Sequence, residues 1–504
     1  MSTTGYNVEY GNFRSQPLGK RGFLVHFEPR MPSTGATADR WIPIRPGSES
    51  VLAHAIARVI ADQRLGSDER ADRAATLAGE VDIEQAAELC GISTEQIGNF
   101  ARIFAEAERP VAIPGAAVAG RDNPSDAVTA VQILNLIAGN GGMTLTPEAP
   151  NGDLAAPRTS SFRDALDLIG RMGSGEVDVL LVHNANPAYD LPPDAGFVDA
   201  IQQVGFVVSF NPLVDETALW ADLILPDRTY LEGWGYEVVT PSFDGRPIVS
   251  SQQPVVSPLY DVRSTGDVLL SVARGIPAAA DALPWTDEVA FIEERIAALP
   301  TGAAGGEDAT VRWSRFLQHG GWWPTEAPET ELPEAAVAQP IQAVPATFQG
   351  DENEYPFFLH LYMPVLLGDG SGANLPWLQG SPDPMTTISW QTWVEINPKT
   401  ADELGVKDGD VVKIASPYGE IEALVYVYPA IRPDTIAIPL GQGHEVYGRY
   451  ARERGSNPMR LVGVQGDHLN WSTLRAKVTP TGENKHLAVF ESTVETDEEP
   501  PIPF

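Results

Sequence analysis

The chain has 504 residues, 43% of them hydrophobic, which is too much for one ordinary core and predicts roughly two to four domains. With 68 acidic against 34 basic side chains the formal net charge is −34, so phosphate is repelled over most of the surface and nucleic acid is excluded as a ligand. The single cysteine, Cys90, excludes an intrachain disulfide and any iron–sulfur cluster held by four thiolates of this chain, and no apolar run is long enough to span a bilayer.

The residues from Met1 to Tyr6 lack the basic-then-apolar pattern of a signal peptide. Gly22–Phe27 reads as a short strand ending in Glu28-Pro29-Arg30, and Ser48–Ala61 as a helix with Glu49 in its first turn. A further helix starts at Ser93, which is placed as its cap. Val111–Pro114 reads as a second strand, running into Gly115–Gly120, and Ser125–Ile137 as a helix stopped by Gly139. The theme then repeats, with a helix over Phe162–Arg171 and strands at Val177–Val182, Gly205–Ser209 and Ala221–Leu225. Apolar strands alternating with helices predict parallel sheets covered on both faces, with ligands beyond the carboxyl ends of the strands. That places Glu28–Arg30, Gly115–Gly120, His183–Pro187 and Asn211–Pro212 along one candidate edge.

Residues Ala298–Glu354 are rich in Pro, Ala, Gly and acidic side chains and read as a linker or irregular insertion, although Trp322-Trp323 argues that part of it packs on a surface. Beyond it, strands are expected at Trp393–Ile396, Val411–Ala415, Ile421–Tyr428 and Thr435–Pro439, with a helix over Pro398–Leu404. Short strands between Gly/Asp turns suggest a compact β-barrel. The expected division is therefore an α/β domain (1–145), a second α/β region (146–297), the linker (298–354), a barrel (355–490) and an acidic tail (491–504).

Several motifs now stand in order. Glu28-Pro29-Arg30 precedes Val182-His183-Asn184-Ala185-Asn186-Pro187. Glu216-Thr217-Ala218 follows with Ala221–Pro226 and Tyr230-Leu231-Glu232, and then Glu395–Pro398 with Asp408–Asp410. Together they resemble the molybdopterin oxidoreductase (dimethyl sulfoxide reductase) superfamily over nearly the whole chain. Ala373–Gln379 with Pro382–Pro384, and Gly441–His444 with Tyr447–Tyr450, are similar to the molybdopterin-like subunits of alternative complex III and of the related menaquinone reductase complex.

The resemblance implies Rossmann-like parallel-sheet domains followed by a C-terminal double-psi-type barrel. It also implies a place in a quinol:acceptor oxidoreductase complex beside an iron–sulfur subunit, c-type cytochromes and integral membrane quinol-binding subunits, peripheral to the bacterial inner membrane on its periplasmic side. In that group the molybdenum cofactor is thought to be absent, so this chain is expected to be a structural subunit carrying none. Few residues precede Glu28, where active members carry an iron–sulfur cysteine cluster and a molybdenum ligand. The alternative is therefore part of an active enzyme with molybdopterin guanine dinucleotide whose N-terminal region is missing from this chain.

If a pterin is bound, the candidate contacts are Glu28, Arg30, Asn184, Asn186 and His444. Each has a second reading. Asn184 and Asn186 also suit a turn after a strand, Glu28 and Arg30 an internal ion pair, and His444 a hydrogen bond within a buried turn. No nucleophile–base pair, carboxylate pair or protein-built metal site is evident.

Overall fold

The computed structural model describes residues 10–17, 19–115, 124–141, 160–239, 247–300, 302–303, 308–325 and 345–490. In the first unit, strand β1 (Val25–Phe27) runs parallel to β2 (Arg40–Ile42), and helices gather behind them. Local chemistry fixes the helix ends. The Asp82 carboxylate accepts from the Glu84 and Gln85 amides to start helix Ile83–Cys90. Ser93 and Gln96 form a reciprocal capping box for helix Thr94–Glu106. The apolar stripe of helix Glu49–Gln63 buries Val51, Leu52, Ile56, Val59 and Ile60 against Ile97 and Phe100 of Thr94–Glu106 and Ile133 and Ile137 of helix Pro124–Ala138. Cys90 lies in this core, and burial pushes its thiol up to about 11, so it is an inert packing residue.

The second unit has a parallel sheet of β3 (Val179–Val182), β4 (Phe206–Ser209) and β5 (Leu223–Ile224). Helices Phe162–Gly173 and Phe197–Ile201 cover one face with Ile169, Met172, Phe197 and Ile201. The pattern predicts coverage of both faces, yet on the other side Val179, Leu181 and Phe206 stay exposed among the described residues. Strands β6 (Gly235–Val239), β7 (Ile248–Gln252) and β8 (Gly321–Trp322) form an antiparallel sheet. The stretch expected to be a linker thus contains ordered structure. Helix Ala309–His319 leads into β8, and Trp322 is buried with its indole N–H donating to the Pro300 carbonyl at 3.0 Å. The Pro- and Ala-rich composition on either side hid it.

The last unit is a closed six-stranded barrel, in the order β10 (Trp393–Ile396), β12 (Glu420–Val427), β11 (Asp410–Ala415), β16 (Leu474–Asn484), β9 (Phe357–Tyr362) and β13 (Thr435–Pro439). A small hairpin, β14 (Val464–Gln465) with β15 (His468–Leu469), precedes β16. Val394, Ile396, Val412, Ile414, Val425, Ile436 and Ile438 fill the interior with almost no exposure. A mixed α/β chain ending in a barrel is therefore the observed class, as expected.

The first unit meets the barrel. The Met31 amide donates to the Ala430 carbonyl, the Arg432 amide to the Pro29 carbonyl, and the Tyr428 hydroxyl to the Met31 carbonyl, all within 3.1 Å. One expectation fails here. Glu28–Arg30 does not share an edge with His183–Pro187, because β1 pairs only with β2 in its own sheet and its end is docked on the barrel. Residues 116–120 of the glycine-bearing loop and the acidic tail, 491–504, lie outside the described residues.

Candidate functional site

Beyond the carboxyl ends of β3, β4 and β5 three loops converge. Asn184 follows β3 with φ +52°, a left-handed backbone that Asn tolerates, and its side chain is exposed with no described partner. Asn211 follows β4. Its amide N–H groups donate to the Ala185 carbonyl at 2.8 Å and the Asp215 carboxylate at 2.6 Å, while its Oδ1 is buried without a partner among the described residues. Asp227 and Arg228 follow β5. His183 Nε2 lies 2.7 Å from Asp227, whose carboxylate also accepts from the Thr265 hydroxyl at 2.7 Å. That bond raises the His183 pKa, so the ring holds its proton to higher pH. The buried Nε of Arg228 has no described hydrogen-bond partner.

The barrel closes over the same loops through Glu216. One carboxylate oxygen accepts from the Asn186 amide at 2.7 Å and faces His444 Nδ1 at 3.2 Å. The other accepts from the Glu445 and Val446 backbone N–H groups at 2.7 and 3.2 Å. Burial pushes this carboxyl up, but the bonds from His444 and Asn186 outweigh it and hold it at about 2. His444 stacks on Tyr189 with ring centroids 3.7 Å apart, its Nε2 faces the Gly370 carbonyl at 3.1 Å, and the Tyr189 hydroxyl donates to the Gln442 carbonyl at 2.8 Å. Gly443 permits this tight loop. At φ +90° a Cβ would meet the Asn457 amide nitrogen at 2.0 Å. At the rim, the surrounding protein and then the charge of Asp369 push Asp190 up to about 7, although part of its surface stays in solvent.

Glu28 and Arg30 lie at the seam of the first unit with the barrel. Glu28 faces His26 Nε2 at 2.7 Å and His360 Nε2 at 3.4 Å. Burial raises the Glu28 carboxyl, but these contacts prevail and hold it at about 2. Arg30 pairs in two-pronged fashion with the fully buried Glu395, with Nη2 to Oε1 at 2.7 Å, and its guanidinium lies 3.9 Å from the Tyr362 ring centroid. Of the five candidate contacts, the structure thus brings Asn184, Asn186 and His444 to the β3–β5 edge and sets Glu28 and Arg30 apart from them. Asn186 and His444 are engaged internally, while Asn184 is open. The sequence puts Asn211 on the candidate edge and Glu216 in a family motif without marking either as a contact, and it leaves Asp227 and Arg228 unmarked. Position alone signals these last two, which stand three and four residues past the end of β5.

A donor set of this kind suits a pterin dinucleotide. The Arg228 Nε, which has no partner among the described residues, and His183, whose proton Asp227 holds to higher pH, suit an anionic diphosphate, and the Asn211 Oδ1, likewise without a described partner, suits an amino group of a base. Among the described residues no cluster of His, Cys, Asp or Glu could hold a metal ion.

Comparison with known proteins bears on the same point. Residues 17–274, more than half of the chain, match the family model for molybdopterin oxidoreductase, and residues 383–486 match the molydopterin dinucleotide binding domain. The molybdopterin-binding-like subunit of menaquinone reductase from Nitratidesulfovibrio vulgaris is 26% identical over 463 residues, covering 87% of this chain and 62% of that one. The molybdopterin-containing subunit of arsenate respiratory reductase from Shewanella sp. is 24% identical over 409 residues, covering 66% of this chain and 45% of that one. Acetylene hydratase from Pelobacter acetylenicus superimposes with a TM-score of 0.69 at 16% identity, over 95% of this chain and 76% of that one. This chain therefore spans less than two thirds of the length of the two relatives named first. The expectation that the chain carries no cofactor is overturned, because both halves match molybdopterin families and the relatives include subunits named as molybdopterin-containing.

Proposed function

Because the chain belongs to the molybdopterin oxidoreductase family, we propose that it holds a molybdopterin dinucleotide between the β3–β5 edge and the barrel, as one subunit of a quinone-linked electron-transfer complex. The observation that carries this reading is the pair of unsatisfied buried polar atoms, Asn211 Oδ1 and Arg228 Nε, on the edge where α/β folds take ligands. The quinone link draws on the likeness to the subunit named from menaquinone reductase. Among the described residues no helix is long and apolar enough to cross a membrane, so contact with quinone in the bilayer is assigned to partner chains. An iron–sulfur subunit and c-type cytochromes are the redox partners this reading proposes.

The bound group would supply the redox centre of the complex. The protein's own part is to bind and orient it. Arg228 would donate to a phosphate oxygen, and Asn211 Oδ1 would accept from an amino group of the base. Asp227 fixes the His183 ring through Nε2. The Glu216 bonds to Glu445 and Val446 hold the barrel loop against the sheet edge.

The test compares pterin released by acid oxidation from the wild-type protein and from the Arg228→Met and Asn211→Ala variants, read by fluorescence. The reading expects pterin in the wild type and about a tenfold lower content in Arg228→Met, the equivalent of one lost charge-assisted contact. Equal content in all three proteins contradicts the assigned contacts.

A further inference from the structure

A neutral imidazole has one N–H and one bare nitrogen, so it cannot donate from both sides of the ring at once. His444 meets two acceptors. Its Nδ1 lies 3.2 Å from the Glu216 carboxylate, whose pKa is held at about 2, and its Nε2 lies 3.1 Å from the Gly370 carbonyl. Neither partner has a proton to give. The His444 side chain is 2% exposed, so solvent does not replace either bond. Both contacts are therefore hydrogen bonds only when the ring carries two protons and a positive charge.

The surroundings have the sign that a buried cation needs. The Tyr189 ring is stacked on the imidazole with centroids 3.7 Å apart, and the Tyr447 ring lies at 4.8 Å. The charged groups around these rings are acidic. They are Glu216 and Asp215 on the loop after β4, Asp190 at the end of the short helix Pro187–Asp190, and Asp369 next to Gly370. On the barrel loop itself Glu445 is paired with Arg460, and both side chains are exposed.

The segments joined by the ring are far apart in the sequence. Glu216 belongs to the second unit, Gly370 to the loop after β9 and His444 to the loop after β13, so the charged ring ties the sheet edge to two loops of the barrel. Removing one proton bares one nitrogen. Its lone pair then faces the Glu216 carboxylate or the Gly370 carbonyl, and a buried acceptor set against an acceptor repels where a bond had been.

We propose that His444 is a proton-operated clasp. Charged, it holds barrel loop 441–450 on the β3–β5 edge. Neutral, it releases one side of the seam, so a rise in pH loosens the cover over that edge. The clasp rests on the reading of the edge as a cofactor site only for its purpose, which is to regulate access. Every contact in it lies within the chain.

The experiment follows hydrogen exchange of residues 441–450 in the full chain, each rate divided by that of an unstructured peptide at the same pH. The wild type, His444→Gln and Asp190→Asn are compared at about pH 5 and about pH 8, the range in which a histidine changes charge. In the wild type, protection of the loop should fall at least about tenfold from the lower pH to the higher, while Asp410–Ala415 in the barrel core keeps its own. His444→Gln should abolish this pH dependence and stay at the less protected level. Asp190→Asn should retain it, which separates the ring from the neighbouring carboxyl. Nitrogen-15 spectra of histidine-labelled protein should show both His444 ring nitrogens protonated at the lower pH. Equal wild-type protection at both pH values, a pH dependence kept by His444→Gln or lost in Asp190→Asn, or a neutral ring at the lower pH overturns the proposal. Neither readout involves pterin, so protein without pterin would refute the cofactor reading and leave the clasp standing.

Discussion

Replacing Arg30 by methionine leaves the Glu395 carboxylate stranded. Arg30 and Glu395 side chains are 4% and 0% exposed, and the carboxylate's other described donors are the Tyr362 hydroxyl at 2.8 Å and the Trp393 indole at 3.3 Å. Breaking one partner of a buried pair costs about 3–5 kcal/mol, because the remaining charge stays desolvated. The exposed pair Lys413–Glu420, 43% and 59% exposed, serves as the control, and losing it should cost about 0–1 kcal/mol. The assay is urea denaturation of the isolated chain followed by circular dichroism, with Arg30→Met, Glu395→Met, the double variant and Lys413→Met compared. The double variant should recover more than half of the single-variant loss, since two apolar side chains of similar volume replace the pair without an orphaned charge. A loss below about 1 kcal/mol for Arg30→Met, equal to the surface control, would refute the claim that this pair ties the first unit to the barrel.

Two further outcomes are expected. Asp190 has a raised pKa of about 7, so the folded protein binds its proton where the unfolded chain does not. Stability should therefore fall as pH rises from the ordinary aspartate range towards 7, and Asp190→Asn should flatten that slope in thermal melts between pH 5 and 8. Glu216→Ala removes the acceptor shared by Glu445 and Val446, so amide exchange of residues 441–450 should speed up about tenfold while the barrel core is unchanged. Exchange equal to wild type would show that the loop is held by other contacts.

Elements with their own end signals were legible in the sequence. Helix Pro398–Leu404 falls where expected because Asn397 caps it, Pro398 suits its first turn, and Gly405 takes the left-handed exit at φ +68°. Val111–Pro114 has strand composition but no neighbour among the described residues, and composition cannot supply one. Helix Ala309–His319 was masked by its Pro- and Ala-rich surroundings. The site was legible only where a loop follows a strand, as at Asn184. Glu395 and Glu216 stand in family motifs, but their roles were not legible, because the arginine of Glu395 is 365 residues away and the partners of Glu216 come from a second loop and from the barrel. Long-range pairing leaves no local pattern. The absence of cofactor, inferred from the likeness to subunits thought to lack it, failed because both halves of the chain match molybdopterin family models.

The central claim is that this chain holds a molybdopterin dinucleotide, and it is tested most directly by measuring pterin and the released nucleotide, together with molybdenum and tungsten, in protein purified from its native complex. The account predicts pterin and nucleotide in stoichiometric amounts with the chain. Protein that is folded, assembled with its partners and free of both would contradict it.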